Sequence, residues 1–204
     1  MPYSQFTIEK IKKDFGISIS EQFGIFINTP EVEFSDFLTQ SLQEYLPLAL
    51  AIDTEKARSE LIVMPILVEL KKQYKLQNKS QISIFSGRDF TVDVSKGLNG
   101  FCDFLISRSP EQIMIEAPVI TLVEAKNDNI QSGLGQCMAE MIAAQIFNEH
   151  KGNKISTIYG VVTTGTNWKF LRLNDKVIEI DLNEYFISQL GKILGILIST
   201  IGTK

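Results

Sequence analysis

Residues 118–150 have the sequence PVITLVEAKNDNIQSGLGQCMAEMIAAQIFNEH, a strand pattern followed directly by a helix pattern. The strand part is rich in β-branched residues and is introduced by Pro118. The helix part carries side chains such as Met141, Ile142 and Ile146 at helical spacing. A strand that leads into a long helix is typical of a sheet covered by helices, so this stretch predicts an α/β protein.

The flanking sequence predicts further strands and helices around this unit. Upstream, QISIFSG, DFTVDV and GFCDFLISR have the period of two expected of strands, and STIYGVVTTG, NWKFLRL and KVIEIDL follow downstream. We expect strands near 89–94, 101–107 and 119–126 in one sheet, with helices near 54–74 and 131–149 packed on it. The predicted fold is therefore α/β, with a central mixed β-sheet flanked by helices.

Two segments are predicted along the chain. Residues 1–52 alternate short apolar clusters with Gly, Pro and acidic residues, which indicates an N-terminal extension packed on the core. Residues 53–204 form the main domain, which begins with a helix whose N-cap is Asp53 or Thr54. The centre of that helix, LIVMPILVEL, is apolar nearly all round, so it should be buried, and Pro65 predicts a kink.

Composition limits the possible functions. The chain has 204 residues and a net charge of -4, which argues against non-specific coating of nucleic acid but permits an enzyme with one local groove. The two cysteines, Cys102 and Cys137, do not make a disulfide framework, and with a single histidine a Cys-based zinc site is not expected. No apolar stretch reaches the length of a bilayer span, so we expect a cytoplasmic protein without a membrane partner.

Charged residues interrupt two of the predicted strands. In GFCDFLIS, alternation places Asp103 on the face of Leu105, and in VITLVEAK it places Glu124 and Lys126 on one face. A charge inside an apolar strand is costly unless something compensates it. These three residues are therefore the candidate catalytic centre.

The arrangement suits phosphodiester hydrolysis. Mg²⁺ prefers oxygen ligands and keeps several waters, so Asp103, Glu124 and the backbone carbonyl of Ala125 could hold it, with Mn²⁺ as a substitute. Lys126 would hold the attacking water or a phosphoryl oxygen and stabilise developing negative charge. A solvated strand end with a weak Glu124–Lys126 ion pair is the structural alternative.

Two further polar residues join this candidate site. Glu60, beside the apolar stripe of the first long helix, could reach the site as a further metal ligand, possibly through water. Gln136 lies in the first turns of the helix after the strand. Glu69 competes with Glu60, although we interpret it as solvated or ion-paired.

In order and spacing, ARSELIVMPILVEL, GFCDFLIS, VEAKN and GLGQCMAEMIAAQ resemble the motifs of the PD-(D/E)xK nuclease superfamily. The similarity is nearest to the N-terminal nuclease domains of type I restriction subunits and to small stand-alone bacterial relatives. It spans roughly residues 54–175, and YGVVTTGTNWKFLRL is also similar to the strands that follow the site in that group. Cys102 stands where the written pattern has a proline.

The resemblance implies a restriction-endonuclease-like core and Mg²⁺-dependent cleavage of nucleic acid, DNA more than RNA. It implies that Asp103 and Glu124 bind metal and that Lys126 assists the nucleophile. Glu60 would be the helix-borne acid and Gln136 a supporting polar residue. An ATP-driven restriction role is not implied, because no helicase motor is present.

Other interpretations remain open. A catalytically silent module that binds nucleic acid or protein on the same fold is favoured by the acidic net charge. A purely structural or partner-binding protein is the third possibility. A dinucleotide site at SGLGQC is disfavoured because the third glycine of the G-x-G-x-x-G pattern is missing.

The final predicted helix, NEYFISQLGKILGILISTI, begins at the N-cap Asn183 and is strongly apolar. Two arrangements are compatible with it. The helix covers the domain's own sheet, or it pairs with its counterpart in a two-fold homodimer. The side chains that would form either contact are Tyr185, Phe186, Leu190, Ile193, Leu194, Leu197 and Ile201.

Overall fold

A mixed β-sheet forms the centre of the computed structural model, which describes residues 2–78 and 81–202. The strand order is β1-β7-β6-β5-β4-β3-β2, and β8 pairs with β6. The β1–β7 and β4–β5 pairs are parallel and the others are antiparallel. The strands are β1 Ser18–Gln22, β2 Ser83–Asp89, β3 Phe101–Ser107, β4 Val119–Ala125, β5 Thr157–Thr163, β6 Asn167–Asn174, β7 Val177–Asp181 and β8 Tyr185–Phe186.

Helices cover both faces of this sheet. The α-helices are α1 Ile8–Phe15, α2 Asp36–Ile52, α3 Glu55–Arg58, α4 Met64–Asn78, α5 Ile130–His150 and α6 Leu190–Gly202. One apolar core lies between the sheet and α5 with α1, and a second lies between the sheet and α2, α4 and α6. The predicted α/β class, with a central mixed sheet flanked by helices, is confirmed.

Successive side chains of β4 point alternately into the two cores. Leu122 packs in the core under α5, whereas Val123 and Ala125 pack in the core under α4 and α6. On the α6 side, the hydroxyl oxygens of Thr121 and Thr200 are 3.1 Å apart. Because both faces of β4 are covered, every residue of the strand is buried, and any charge on it is removed from water.

Most of the predicted elements around the site are confirmed. The strands expected near 101–107 and 119–126 are β3 and β4, and the helix expected near 131–149 is α5. The strand expected near 89–94 is wrong, because the pairing strand β2 ends at Asp89. Beyond it, Asp93 caps a 3₁₀ turn, and Gly97 follows with a φ of 77°, so the chain turns back toward β3.

The helical region predicted near 54–74 is present, with Thr54 as its N-cap and α4 extending it to Asn78. It is not a uniform α-helix. A π-helical turn occupies Ser59–Val63 and ends two residues before Pro65. Because proline has no N–H to donate, the regular hydrogen-bond ladder is interrupted at this point.

The N-terminal segment 1–52 is joined to the sheet and to both layers of helices. It supplies the edge strand β1, parallel to β7. A Cβ added at Gly135 of α5 would lie 2.2 Å from the carbonyl oxygen of Phe6, and one at Gly195 of α6 would lie 2.1 Å from that of Pro30. The backbone of this segment therefore lies directly against both helices.

The final helix differs from its prediction in where it begins. The helix α6 begins at Leu190 rather than after Asn183, because Tyr185 and Phe186 pair with β6 as a short strand. Most of its apolar side chains are buried inside the domain, and those of Ile193 and Leu197 are completely buried. Of the two arrangements expected for this helix, the structure shows the first, in which it covers the domain's own sheet, and it gives no support to a homodimer through the same face. Within the described ranges, no helix combines the length and apolar character needed to cross a membrane.

Candidate functional site

Adjacent strands bring Asp103 and Glu124 together. In the β3–β4 ladder Leu105 is opposite Leu122, so Asp103 and Glu124 lie two residues further along the same face. The Oδ2 atom of Asp103 accepts a hydrogen bond of 2.8 Å from the backbone N–H of Ala125. Asp103 is thereby fixed against the end of β4 where Glu124 lies.

Lys126, the residue directly after β4, is the third member of this group. Its backbone N–H donates to the carbonyl of Thr163 at 2.8 Å, and its Nζ lies 2.5 Å from Oε1 of Glu124. The side chain of Glu124 is only 1% exposed and that of Lys126 17%. A Cβ at Gly133 would lie 3.1 Å from Cγ of Lys126, so the glycine leaves the space in which the lysine extends. The structure thus brings Asp103, Glu124 and Lys126 into one cluster.

Glu60 points elsewhere. Its side chain is 63% exposed and lies 3.7 Å from Nζ of Lys56, and it borders a surface groove with Tyr45 and Met64. Glu55 is the acid of this region that approaches the cluster, with Oε2 3.7 Å from Nζ of Lys126. The position of Glu60 therefore does not support the predicted metal-ligand role.

Of the two states expected for Glu69, solvated or ion-paired, the structure shows the ion-paired one in a buried position. Glu69 is 3% exposed and accepts hydrogen bonds from the backbone and hydroxyl of Ser35 and from Gln73. Lys72 forms an ion pair with it at 3.8 Å. Burial opposes ionisation, but these donors and the nearby ammonium together lower the pKa of Glu69. This carboxylate joins α4 to the start of α2.

Arg58 is a neighbour of the site that sequence reasoning missed. Its guanidinium donates to the Oδ1 atom of Asn127, to the carbonyl of Thr164 and to Asp53, each at 3.1 Å. It therefore ties α3 to the segments that follow β4 and β5. An arginine in a helix is usually solvated, so the sequence alone gave no signal of this role.

Gln136 lies in α5 and donates a hydrogen bond to Glu140, an acid that was not among the predicted site residues. Its Nε2 atom donates to Oε1 of Glu140 at 3.1 Å. Glu140 is completely buried, and its Oε2 atom has no hydrogen-bond partner among the described residues. The signal was present in the sequence, because Glu140 is the only charged residue in the apolar run CMAEMIAA.

The electrostatics of the cluster favour protonated carboxyl groups. Burial, and then the charge of Asp103, raise the pKa of Glu124 to about 8 despite the opposing effect of Lys126. Burial also raises the pKa of Asp103, against the opposing hydrogen bond from Ala125. Burial and the charge of Glu124 raise the pKa of Glu140 well above its ordinary value. For Lys126, burial lowers the pKa, but the surrounding carboxylates outweigh it and raise the pKa overall.

The cluster therefore contains more carboxyl groups than ammonium groups. Asp103, Glu124 and Glu140 influence one another electrostatically, and Lys126 is the cation that acts on all three. The Oε2 atoms of Glu124 and Glu140 are buried without hydrogen-bond partners among residues 2–78 and 81–202. A buried carboxylate oxygen without a protein donor needs a proton, a bound water or a cation.

Magnesium is compatible with this donor set. In the part of the chain that the structure describes, no group of three or more His, Cys, Asp and Glu side chains is placed to hold a metal ion by itself. A cation here would thus have two carboxylates, Asp103 and Glu124, and would complete its coordination with backbone oxygen and water. That is the manner in which Mg²⁺ is commonly bound, and all the donors are oxygens.

Comparison with known proteins adds no further assignment. No protein-family model matches the chain, and no match is found among the curated proteins or the solved structures. The functional interpretation of the cluster therefore depends on its own geometry and on the sequence motifs.

Proposed function

We propose that this protein is a metal-dependent nuclease that hydrolyses phosphodiester bonds of nucleic acid, on a core of the restriction-endonuclease-like type. The observation that carries the proposal is the buried Glu124. One of its oxygens contacts Lys126, the other has no hydrogen-bond partner among the described residues, and Asp103 lies beside it. Replacing a buried ion pair with apolar residues of similar volume is often neutral or stabilising, so stability alone does not account for this arrangement.

Asp103, Glu124 and the backbone carbonyl of Ala125 would hold Mg²⁺, or Mn²⁺ in its place. The ion would supply Lewis-acid polarisation of a phosphate oxygen and a more acidic bound water. The neighbouring residues support this role. The Ala125 N–H orients Asp103 at 2.8 Å, and Gln136 engages one oxygen of Glu140 behind the site. A divalent cation would also compensate the excess of carboxylates that Lys126 leaves.

Lys126 would stabilise the charge that develops on the phosphoryl oxygens. Its Nζ atom is held between Glu124, at 2.5 Å, and Glu55, at 3.7 Å. These carboxylates raise the pKa of Lys126, so the ammonium form is favoured. A protonated amine that is preorganised in this way can neutralise negative charge, or orient a water for attack.

Nucleic acid is the proposed substrate because the chemistry of the cluster is that of phosphodiester cleavage. The preference for DNA rests on the sequence resemblance. The acidic net charge of -4 implies that contact is confined to a local groove. Lys56, whose side chain is 80% exposed and lies on the same helix as Glu55, is placed to meet phosphates at its edge.

Incubation with Mg²⁺ or Mn²⁺ and linear, circular or single-stranded DNA, or with RNA, tests this function directly. We expect cleavage of DNA that EDTA abolishes and that Asp103→Asn reduces together with Mn²⁺ binding measured by titration calorimetry. Asp14→Asn, a change in an exposed ion pair on α1, is the matched control and should change neither. Cleavage that Asp103→Asn leaves intact would contradict the proposal.

A catalytically silent binding module gives a different result in the same experiments. It would retain DNA in a gel-shift assay without cleaving it under any metal condition. The acidic net charge favours this alternative, and the unpartnered oxygen of Glu124 favours the enzyme. Mn²⁺ binding without cleavage would leave the metal site intact and assign the protein to the second class.

A further inference from the structure

The helix α5 presents one line of residues to the candidate site. Gly133, Gln136 and Glu140 are spaced by three and four residues, so they lie along one side of this helix. Lys126 passes this side, because a Cβ at Gly133 would lie 3.1 Å from its Cγ and 3.2 Å from its Cε. Gln136 therefore lies about one helical turn beyond the lysine, and Glu140 lies a further turn along α5.

Glu140 makes no hydrogen bond to another element of the fold among residues 2–78 and 81–202. Its side chain is completely buried, and the donor that reaches it is Gln136 of the same helix, whose Nε2 lies 3.1 Å from its Oε1. Its Oε2 has no partner within those ranges. The buried Glu69 is different, because Ser35 at the start of α2 donates two hydrogen bonds to it. Burial of Glu140 is thus costly, and it joins no two parts of the fold.

The hydrogen bond to Glu140 fixes the side-chain amide of Gln136. Gln136 is half-buried, whereas its acceptor is out of reach of solvent, so bulk water does not compete for the acceptor oxygen. An amide group has its donors on the nitrogen and its acceptor capacity on the oxygen. With Nε2 turned toward Glu140, Oε1 is the end of the amide that remains to accept a hydrogen bond from a ligand.

We propose that Glu140 is a positioning residue, which holds Gln136 so that its Oε1 accepts a hydrogen bond from water on the divalent cation at Asp103 and Glu124. This role rests on the proposed metal site. Two carboxylates leave most of the coordination of Mg²⁺ to water, and the residues around a metal site orient its ligands through hydrogen bonds. Gln136 lies on the side of α5 that Lys126 contacts, so it is placed for this task.

The orientation of the amide decides whether Gln136 helps or hinders a cation. An amide oxygen directed toward a cation is electrostatically favourable, whereas an NH₂ group in its place would add positive partial charge beside the ion. Without an acceptor at Glu140, both orientations are open to the amide. The hydrogen bond to Glu140 therefore selects the orientation that suits a cation.

Manganese affinity, measured by titration calorimetry, tests the proposal. We expect Glu140→Met and Gln136→Met each to weaken Mn²⁺ binding by about tenfold, the lower end of the roughly 10–100-fold loss for residues that support metal ligands. Because both residues act through the same amide, the double variant should bind no more weakly than either single variant. Gln145→Met is the matched control, since Gln145 lies in α5 but donates to the carbonyl of Asp175, and it should leave the affinity unchanged.

Glu140→Gln separates positioning from folding. This substitution keeps an oxygen that accepts from Gln136, so it should retain the Mn²⁺ affinity of the unmodified protein. The side-chain NH₂ signals of Gln136 in a nitrogen-15 correlation spectrum give a readout without metal. They should be protected from exchange with water in the unmodified protein and in Glu140→Gln, and should exchange faster in Glu140→Met. Equal losses of Mn²⁺ affinity in Glu140→Gln and Glu140→Met would contradict the positioning role.

The same measurements distinguish failure of this inference from failure of the proposed function. Unchanged Mn²⁺ affinity in folded Glu140→Met or Gln136→Met would overturn the positioning role, while DNA cleavage by the unmodified protein would leave the nuclease proposal intact. Losses that add in the double variant would also overturn it, because the two residues would then act independently. An unmodified protein that neither binds Mn²⁺ nor cleaves DNA would overturn both proposals. Circular dichroism shows whether each variant is folded.

Discussion

Two buried acidic clusters in the same sheet show opposite degrees of hydrogen bonding. At the end of β7, Asp181 is completely buried and accepts four hydrogen bonds, from the backbone N–H groups of Gly24, Phe26 and Asn183 and from the hydroxyl of Tyr185. Glu124 at the end of β4 and Glu140 on the helix α5 are equally buried, and each has an oxygen without a partner among the described residues. Asp181 uses its oxygens to join parts of the fold, whereas Glu124 and Glu140 each keep one oxygen to which no donor in the described part of the chain is bonded.

The lysines of the two clusters differ in the same way. Lys169, which is 5% exposed, donates to three backbone carbonyls of the turn after β7, at 3.2 to 3.5 Å. Lys126 instead forms ion pairs with Glu124 and Glu55 and reaches the surface. A buried lysine that closes a turn stabilises the fold. A partly exposed lysine that lies among carboxylates, as Lys126 does, can instead contact a ligand.

The largest expected effect is on catalysis at the β4 cluster. Lys126→Ala should reduce DNA cleavage by roughly 10²–10³-fold, the scale for loss of one preorganised electrostatic donor. Single-turnover cleavage with Mg²⁺ measures it. Lys56→Ala, which removes an exposed lysine of α3, should have a much smaller effect. Equal losses for the two variants would mean that Lys126 contributes only general positive charge.

The next effect concerns stability at the β7 cluster. Asp181→Ala should lower the free energy of unfolding by about 3 kcal/mol or more, because several buried donors would lose their acceptor at roughly 1–3 kcal/mol each. Urea denaturation followed by tryptophan fluorescence measures the change. A loss below about 1 kcal/mol would show that water replaces the carboxylate, and the contrast between the clusters would then be weaker.

A smaller effect is expected when two buried glutamates on helices receive the same substitution. Glu69→Gln should destabilise the protein by about 1–2 kcal/mol, because charge-assisted hydrogen bonds from Ser35 are lost. Glu140→Gln should be neutral or stabilise by about 1 kcal/mol, because it removes a buried ionisable group with an unpartnered oxygen. Urea denaturation of both variants without metal measures the two changes in the free energy of unfolding. If both variants are destabilised equally, Glu140 is a structural residue.

The last expected effect is a pH dependence of stability in the absence of metal. Burial raises the pKa of Glu124 to about 8, so between its ordinary value near 4.5 and about 8 the folded protein binds more protons than the unfolded chain. Stability should therefore fall as the pH rises through this window and level off above it, by at most about 1.4 kcal/mol per pH unit for this group.

Thermal unfolding from pH 5 to pH 9 in EDTA measures this slope. Glu124→Gln should reduce it, leaving the part due to Asp103 and Glu140, and Glu69→Gln should not reduce it. A wild-type stability that rises over the same range would mean that Glu124 ionises at its ordinary pKa. A slope that Glu124→Gln leaves unchanged would assign it to other groups.

The elements nearest the site were predictable because their patterns are local. Strong alternation in β3 and β4 and the helical period in α5 identified these elements and placed Asp103 with Glu124. The strand expected near 89–94 was wrong because turn geometry around Gly97 outweighed an apolar pattern. Glu60 was misplaced because a single π-helical turn changes which side chains of a helix share a face, and no residue type marks that turn reliably.

The sequence by itself determined the α/β class, the two strands that carry charge and the identity of Asp103, Glu124 and Lys126 as their charged residues. Only the tertiary structure decided that Glu55 rather than Glu60 approaches Lys126 and that Glu140 lies behind the cluster. It also decided that the apolar face of α6 is buried while Phe37, Leu48 and Ile52 of α2 are exposed. The physical reason is that periodicity follows from local backbone geometry, whereas the partner of each face depends on how distant segments pack.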